Sequence, residues 1–158
     1  MTTMVSFQII PGSPDEEAAI RLLREQGLFD ADGPNKVKVA CEAQPLIPPQ
    51  LVFHPVITLL MRHKLFAPEA PENNIFLPIS RKAAKLLKIS SFTITPLATY
   101  IQLVCRKLDE MQAGPDFAAA GKGAAPALAQ LREQLLAFQG QLGQALKKGE
   151  IFVADPRK

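Results

Sequence analysis

A mostly helical α+β fold is what three features of the sequence predict. Helix-start residues followed by apolar positions three or four apart recur over 13–27, 51–65, 80–88, 95–109 and 128–148. Short runs of β-formers, at 5–10, 37–41 and 75–77, interrupt them. Fourteen prolines in 158 residues break the chain into short elements.

Residues 5–10 alternate weakly, giving a short strand or a docked extended segment that Pro11-Gly12 ends. Ser13-Pro14-Asp15-Glu16 is a helix start: Ser13 at the N-cap, Pro14 at N1, and Glu16 closing a capping box. Asp15, Glu16 and Glu17 complement the positive end of the helix dipole, which explains this acidic run without an acid–base role. Ile20, Leu22 and Leu23 supply the buried side, and Gly27 is placed to end the helix. Asp30-Ala31-Asp32-Gly33 matches the opening of a calcium loop, but the later ligands do not follow, so it reads as a turn. Residues 37–41 alternate as a strand that delivers Ala43-Gln44-Pro45 at its exit, where side chains can face a cleft.

Pro48-Pro49 interrupts the chain, and 51–65 then carries a helical pattern with Pro55 near its start. His54 and His63, nine residues apart, fall on roughly opposite faces and do not share a metal from one continuous helix. Residues 68–74 form a turn-rich loop in which Asn73-Asn74 suits a left-handed backbone position, and Ile75-Phe76-Leu77-Pro78 follows as a short buried strand or a hydrophobic brace. Ser80 caps a helix whose Arg81, Lys85 and Lys88 share one face at i, i+4 and i+7. Such a stripe either contacts phosphates or covers the core with its aliphatic stems. Thr95 and Pro96 read as N-cap and N1 of the next helix, with Ile101, Val104, Cys105 and Leu108 on its core face.

The stretch 113–126, rich in Ala, Gly and Pro, reads as a linker. Leu128, Leu131, Leu135, Phe138, Leu142 and Ala145 then mark an amphipathic helix, weakened at Gly140 and Gly143 by up to ~1 kcal/mol each and so dependent on packing. Lys147-Lys148 complements the C-terminal dipole, Gly149 caps it, and Ile151-Phe152-Val153 adds a final strand.

Hydrophobic residues at 47% and charged residues at 21% fit a globular chain of single-domain size, not a disordered one. A net charge of +3 is compatible with nucleic acid without implying it. Cys41 and Cys105 belong to no CxxC, which excludes a cysteine-built zinc cluster and favours buried free thiols over a disulfide. The N-terminal residues lack a signal peptide's basic and apolar regions, and no run approaches the ~18 apolar residues of a membrane span. The expected location is cytoplasmic, with no membrane partner; export by an apparatus that needs no signal peptide stays open.

Residues 42–78 carry Glu42-Ala43-Gln44-Pro45-Leu46-Ile47-Pro48-Pro49, then Phe53-His54-Pro55-Val56-Ile57, then Pro71-Glu72-Asn73-Asn74-Ile75-Phe76-Leu77-Pro78. This stretch resembles the AHH group of the HNH/endonuclease VII nuclease superfamily, a group associated with bacterial toxins. Those domains typically carry Ala-His-His-Leu-Ile-Pro, a His-Pro-Leu-like helix start and Asn-Gly-Ile-Phe-Leu-Pro. Ala43 and Leu46-Ile47-Pro48 match, Asn73 stands at the Asn and His54 at the His-Pro, while Gln44 and Pro45 occupy the two histidine places. A second block over 90–100 is similar to the family's His, Gly, His, Pro and following Tyr. Tyr100 matches the Tyr, and Thr93 and Leu97 fill the histidine positions.

The resemblance is strongest over 37–110. It implies an HNH/endonuclease VII-like core over 1–112, with the linker 113–126 and an added amphipathic helix and tail over 127–158 packed on the body. An HNH-type nuclease needs a histidine to deprotonate water and ligands for a divalent ion at the scissile phosphate. Gln44 takes up no proton at neutral pH, Pro45 has no ring donor or acceptor, Thr93 is a poor ligand and Leu97 is none. Loss of the general base alone removes ~100- to 10,000-fold of rate. The expectation is a pseudoenzyme without a cofactor, binding a protein partner or nucleic acid, as a decoy, an immunity-type partner or a subunit in a toxin system. Nucleic acid would meet Arg81, Lys85 and Lys88; a protein partner or a second copy would meet the 127–148 helix. The alternative is an active metal-dependent nuclease, with one divalent ion on groups such as His54, His63, Glu42, Glu72 or Asn73.

Overall fold

The computed structural model describes residues 2–33 and 35–157. In chain order its elements are β1 (Thr3–Gln8), α1 (Pro14–Glu25), β2 (Asp30–Ala31), β3 (Lys36–Pro45), α2 (Pro55–Arg62) and β4 (Asn74–Pro78). Four helices follow: α3 (Arg81–Leu87), α4 (Ala98–Ala113), α5 (Pro115–Gly121) and α6 (Ala125–Lys147). The fold is α+β and mostly helical, as the hydrophobic periodicity predicts. The chain forms two compact units, each assembled from separated stretches: the described residues of 1–44, 76–95 and 146–158, and those of 45–75 and 96–145. A body over 1–112 followed by a linker is not how the chain divides. The stretch 113–126 holds α5, because Pro115 at N1 and a following run of alanines favour a helix once Gly114 has broken α4.

In the first unit β3 is the central strand. β1 pairs with it antiparallel, from Thr3 opposite Cys41 to Gln8 opposite Lys36, and β2 pairs antiparallel through Asp30 and Ala31. β4 also pairs with β3. Period-two alternation puts Val37, Val39 and Cys41 on the buried face and Lys36 and Lys38 in solvent. Ile20 and Leu23 of α1, Phe29 and Ala83 of α3 close over that face. Each fully buried branched or aromatic side chain contributes roughly 1.5–3 kcal/mol relative to exposure. Leu22, expected inside, is half exposed on the outer side of α1.

Local signals place the ends of these elements. Ser13 Oγ accepts the Glu16 N–H at 3.2 Å, while the Glu16 carboxylate reaches the N–H of Gly12, one residue earlier than in a standard capping box. Gly27 ends α1 at φ +76°. Ser80 Oγ accepts the Ala83 N–H at 3.1 Å and starts α3. Elsewhere local competition shifts the boundaries. Thr93 Oγ1 accepts the Thr95 N–H at 3.0 Å and lies 3.2 Å from the Thr95 carbonyl, a closed side-chain turn. Thr95 and Pro96 therefore do not start α4, which begins at Ala98 behind Leu97 with no side-chain cap. Asn73 and Asn74 are not left-handed; the non-glycine residues with positive φ among those described are Asn35, Lys64 and Lys88.

The second unit is helical. α2, α4 and α5 touch one another, and Val56, Ile57, Leu60, Val104 and Leu108 are buried. In α6 the expected stripe Leu128, Leu131, Leu135, Phe138 and Leu142 is buried, so it packs within the monomer and is not offered to a second copy. Among the described residues no helix is long and apolar enough to cross a membrane.

Candidate functional site

Two of the four positions at which the resemblance leads one to expect histidine, Gln44 and Thr93, come together. Gln44, at the end of β3, is buried, and its Oε1 accepts the Thr93 N–H at 2.9 Å. Pro45 is the last residue of β3, and Leu97 is the half-buried residue preceding α4. An amide has no basic site at neutral pH, so Gln44 cannot do the work of an imidazole base. Tyr100 and Asn73, on which the resemblance rests in part, are structural. The Tyr100 hydroxyl donates to the Leu46 carbonyl at 2.7 Å, and burial pushes its pKa upward, so it serves as a neutral donor. Asn73 is fully buried; its carbonyl accepts the Leu46 N–H at 2.6 Å and its Oδ1 accepts the Ile47 N–H at 2.9 Å. Asn73 Nδ2 donates to the Pro68 carbonyl, and Gln139 Nε2 donates to Asn73 Oδ1 at 3.0 Å. Asn73 and Tyr100 thus both hold Leu46-Ile47, the segment immediately after Gln44-Pro45.

A cleft in the first unit gathers the basic stripe. Arg81, Lys85 and Lys88 line it together with Ser90, Ser91 and the tail at 152–156, around a space of about 120 Å³. The tail does not form the expected strand over 151–153. It is tied down by Ser90, whose buried Oγ accepts the Val153 and Ala154 N–H groups at 3.2 and 3.1 Å and donates to the Ser91 carbonyl. Gly149 lets this tail lie against α3: at φ +70° its Cβ position is 2.1 Å from the Lys88 carbonyl oxygen, so a side chain does not fit. Asp155, also at the cleft, is paired with Arg157 at 3.1 Å. No carboxylate among the described residues pairs with Arg81, Lys85 or Lys88. The space is smaller than the ~300 Å³ at which small-molecule pockets begin, and its three cations suit a phosphate group at its mouth.

No family model, no curated protein and no solved structure matches the chain.

The residues named for an alternative metal site do not assemble. His54 sits before α2 and His63 after it, at opposite ends of the helix. Glu72 lies in an exposed turn at Pro71–Asn73, and Asn73 is fully engaged. Glu42 accepts the Thr2 hydroxyl at 2.8 Å, a bond that holds its carboxyl below the usual range. His54 does meet two groups from α4 that sequence reasoning did not pair with it. Its Nε2 is 2.8 Å from Asp109 Oδ1, and Cys105 Sγ is 3.9 Å from Asp109 Oδ2. The signal available in the sequence was the i, i+4 spacing of Cys105 and Asp109, which puts both on one helix face. Cys105 is half-buried, not buried as expected; burial and then the Asp109 charge hold its thiol above the ordinary pKa. The buried Gln139 Oε1, beside Asn73, has no hydrogen-bond partner among the described residues.

Proposed function

We propose that the protein is a catalytically silent, AHH-like relative of the HNH/endonuclease VII nucleases that binds nucleic acid through the Arg81–Lys85–Lys88 cleft, within a bacterial toxin system. The observation that carries binding is the convergence, on one cleft too small for a nucleotide, of three cations that no carboxylate among the described residues pairs with. Such a site grips a backbone phosphate and leaves base identity unread. Supporting catalytic silence, Gln44 Oε1 accepts the Thr93 N–H where the family places imidazoles, so neither a general base nor an imidazole ligand stands at those positions. Asn73 and Tyr100 fit the same reading as retained scaffold, since both act on Leu46-Ile47.

Among the two partner classes the sequence left open, nucleic acid is favoured because the apolar stripe of α6 is buried while the basic stripe of α3 faces a cleft. The test is incubation of the untagged chain with plasmid DNA and with RNA in the presence of magnesium, manganese, zinc or nickel. The expected result is retarded migration with no strand scission. Scission that persists on repurification and is abolished by His54→Ala restores the nuclease reading.

A further inference from the structure

Cys105 and Asp109 stand one turn apart on α4, and His54 meets both from the N-terminal end of α2. The ligand atoms of the three residues lie within 4.8 Å of one another. We propose that His54, Cys105 and Asp109 form a site for one divalent cation of the zinc type, closed by water as the fourth ligand. This inference is independent of the nucleic-acid reading and involves only the second unit.

The donor set selects the ion. A thiolate, an imidazole and a carboxylate suit Zn²⁺ or Co²⁺, whereas Mg²⁺ and Ca²⁺ favour all-oxygen shells. One thiolate, one carboxylate and a neutral ring also balance a double positive charge. In a tetrahedral zinc site, bonds of ~2.0–2.3 Å place neighbouring ligand atoms roughly 3.3–3.6 Å apart. The separations of 2.8 and 3.9 Å from the Asp109 carboxylate bracket that value, and the His54–Cys105 separation is within 4.8 Å. Rotation of the exposed Asp109 carboxylate and of the Cys105 side chain brings the three to it. The imidazole is held by its surroundings, with a side chain only 7% exposed, while Asp109 at 64% leaves one side open for entry and for water.

The empty arrangement is a hydrogen-bonded form of the same group. His54 Nδ1 accepts the Val56 N–H at 3.2 Å, so the ring proton lies on Nε2 and points at Asp109. On uptake the Cys105 thiol gives its proton to solvent and the ring proton moves from Nε2 to Nδ1, freeing the Nε2 lone pair for the ion. Asp109 Oδ1 exchanges the ring N–H for the metal. What is lost is the hydrogen bond from the Val56 N–H to Nδ1, two donors then facing each other there, against the far larger affinity of thiolate and imidazole for zinc.

The experiment is titration of the untagged full chain with Co²⁺, followed by Zn²⁺ competition against a chromophoric chelator. One ion per chain is expected, with a thiolate-to-cobalt charge-transfer band that Zn²⁺ removes. Cys105→Ser and His54→Asn should each abolish the band and weaken Zn²⁺ binding by at least about 100-fold. His63→Ala should leave both unchanged. Asn is among the best N-cap residues, so His54→Asn keeps α2 started while removing the ligand, and an unaltered far-UV spectrum confirms the fold. Absence of stoichiometric uptake by the wild type overturns the proposal. So does a band that survives Cys105→Ser or His54→Asn in the folded chain.

Discussion

Gln44 Oε1 and the backbone N–H of Thr93, 49 residues apart in sequence, form a 2.9 Å hydrogen bond. Because Gln44 is buried and Thr93 half-buried, removing the acceptor leaves the Thr93 N–H without its protein partner. Gln44→Leu, similar in volume, should therefore lower stability by roughly 1–3 kcal/mol in urea denaturation. A variant as stable as the wild type would show that the bond contributes nothing to the fold.

The tail at 152–156 depends on Ser90. Ser90→Ala orphans the Val153 and Ala154 N–H groups at once, and about 1–3 kcal/mol of local stability should be lost. Hydrogen exchange at those two amides should accelerate while amides of β3 are unchanged. Uniform acceleration throughout the first unit would contradict a role confined to the tail.

Glycines in and after α6 should respond in opposite directions. Gly140→Ala and Gly143→Ala meet open space in a helix and should each stabilise by up to ~1 kcal/mol. Gly149→Ala puts a methyl group against the Lys88 carbonyl at a left-handed φ and should destabilise by more than the helical pair gains. Thermal melting of the three variants reads both signs.

Burial raises the Cys41 thiol from 9.0 to about 11. The unfolded chain therefore releases this proton before the folded one does. The stabilisation is complete below pH 9 and is lost as pH rises towards 11, on the order of 2 kcal/mol for this group. The alkaline loss measured by urea denaturation should shrink in Cys41→Ala. At neutral pH the Cys41 thiol should react with alkylating reagents only after unfolding, and Cys105 should react slowly in the folded chain.

What the sequence made legible was local. The caps at Ser13 and Ser80, the stops at Gly27 and Gly149 and the stripe of α6 each depend on residues within one or two helical turns. The misplaced start of α4 was also local in origin: Thr93 competes for the Thr95 N–H, and propensity at Thr95 and Pro96 does not register that competitor. The linker reading of 113–126 failed because glycine and alanine were weighed together, although Gly114 divides two helices and the alanines extend one. The remaining features are contacts across long sequence separations. Ser90 reaches a tail more than 60 residues away, and His54 reaches Asp109 across 55. No spacing rule joins such pairs; only the packing of the elements that carry them does.

Fluorescence anisotropy of a short labelled DNA duplex, titrated with the full chain over a series of salt concentrations, addresses the nucleic-acid reading most directly. The wild type should bind with an affinity that falls with salt. The variant Arg81→Glu/Lys85→Glu/Lys88→Glu, if its far-UV spectrum is native, should bind far more weakly, with a log–log salt slope reduced by about 3 × 0.9. Absence of binding by the wild type at low salt, or equal binding by the two proteins, would contradict a phosphate-gripping cleft.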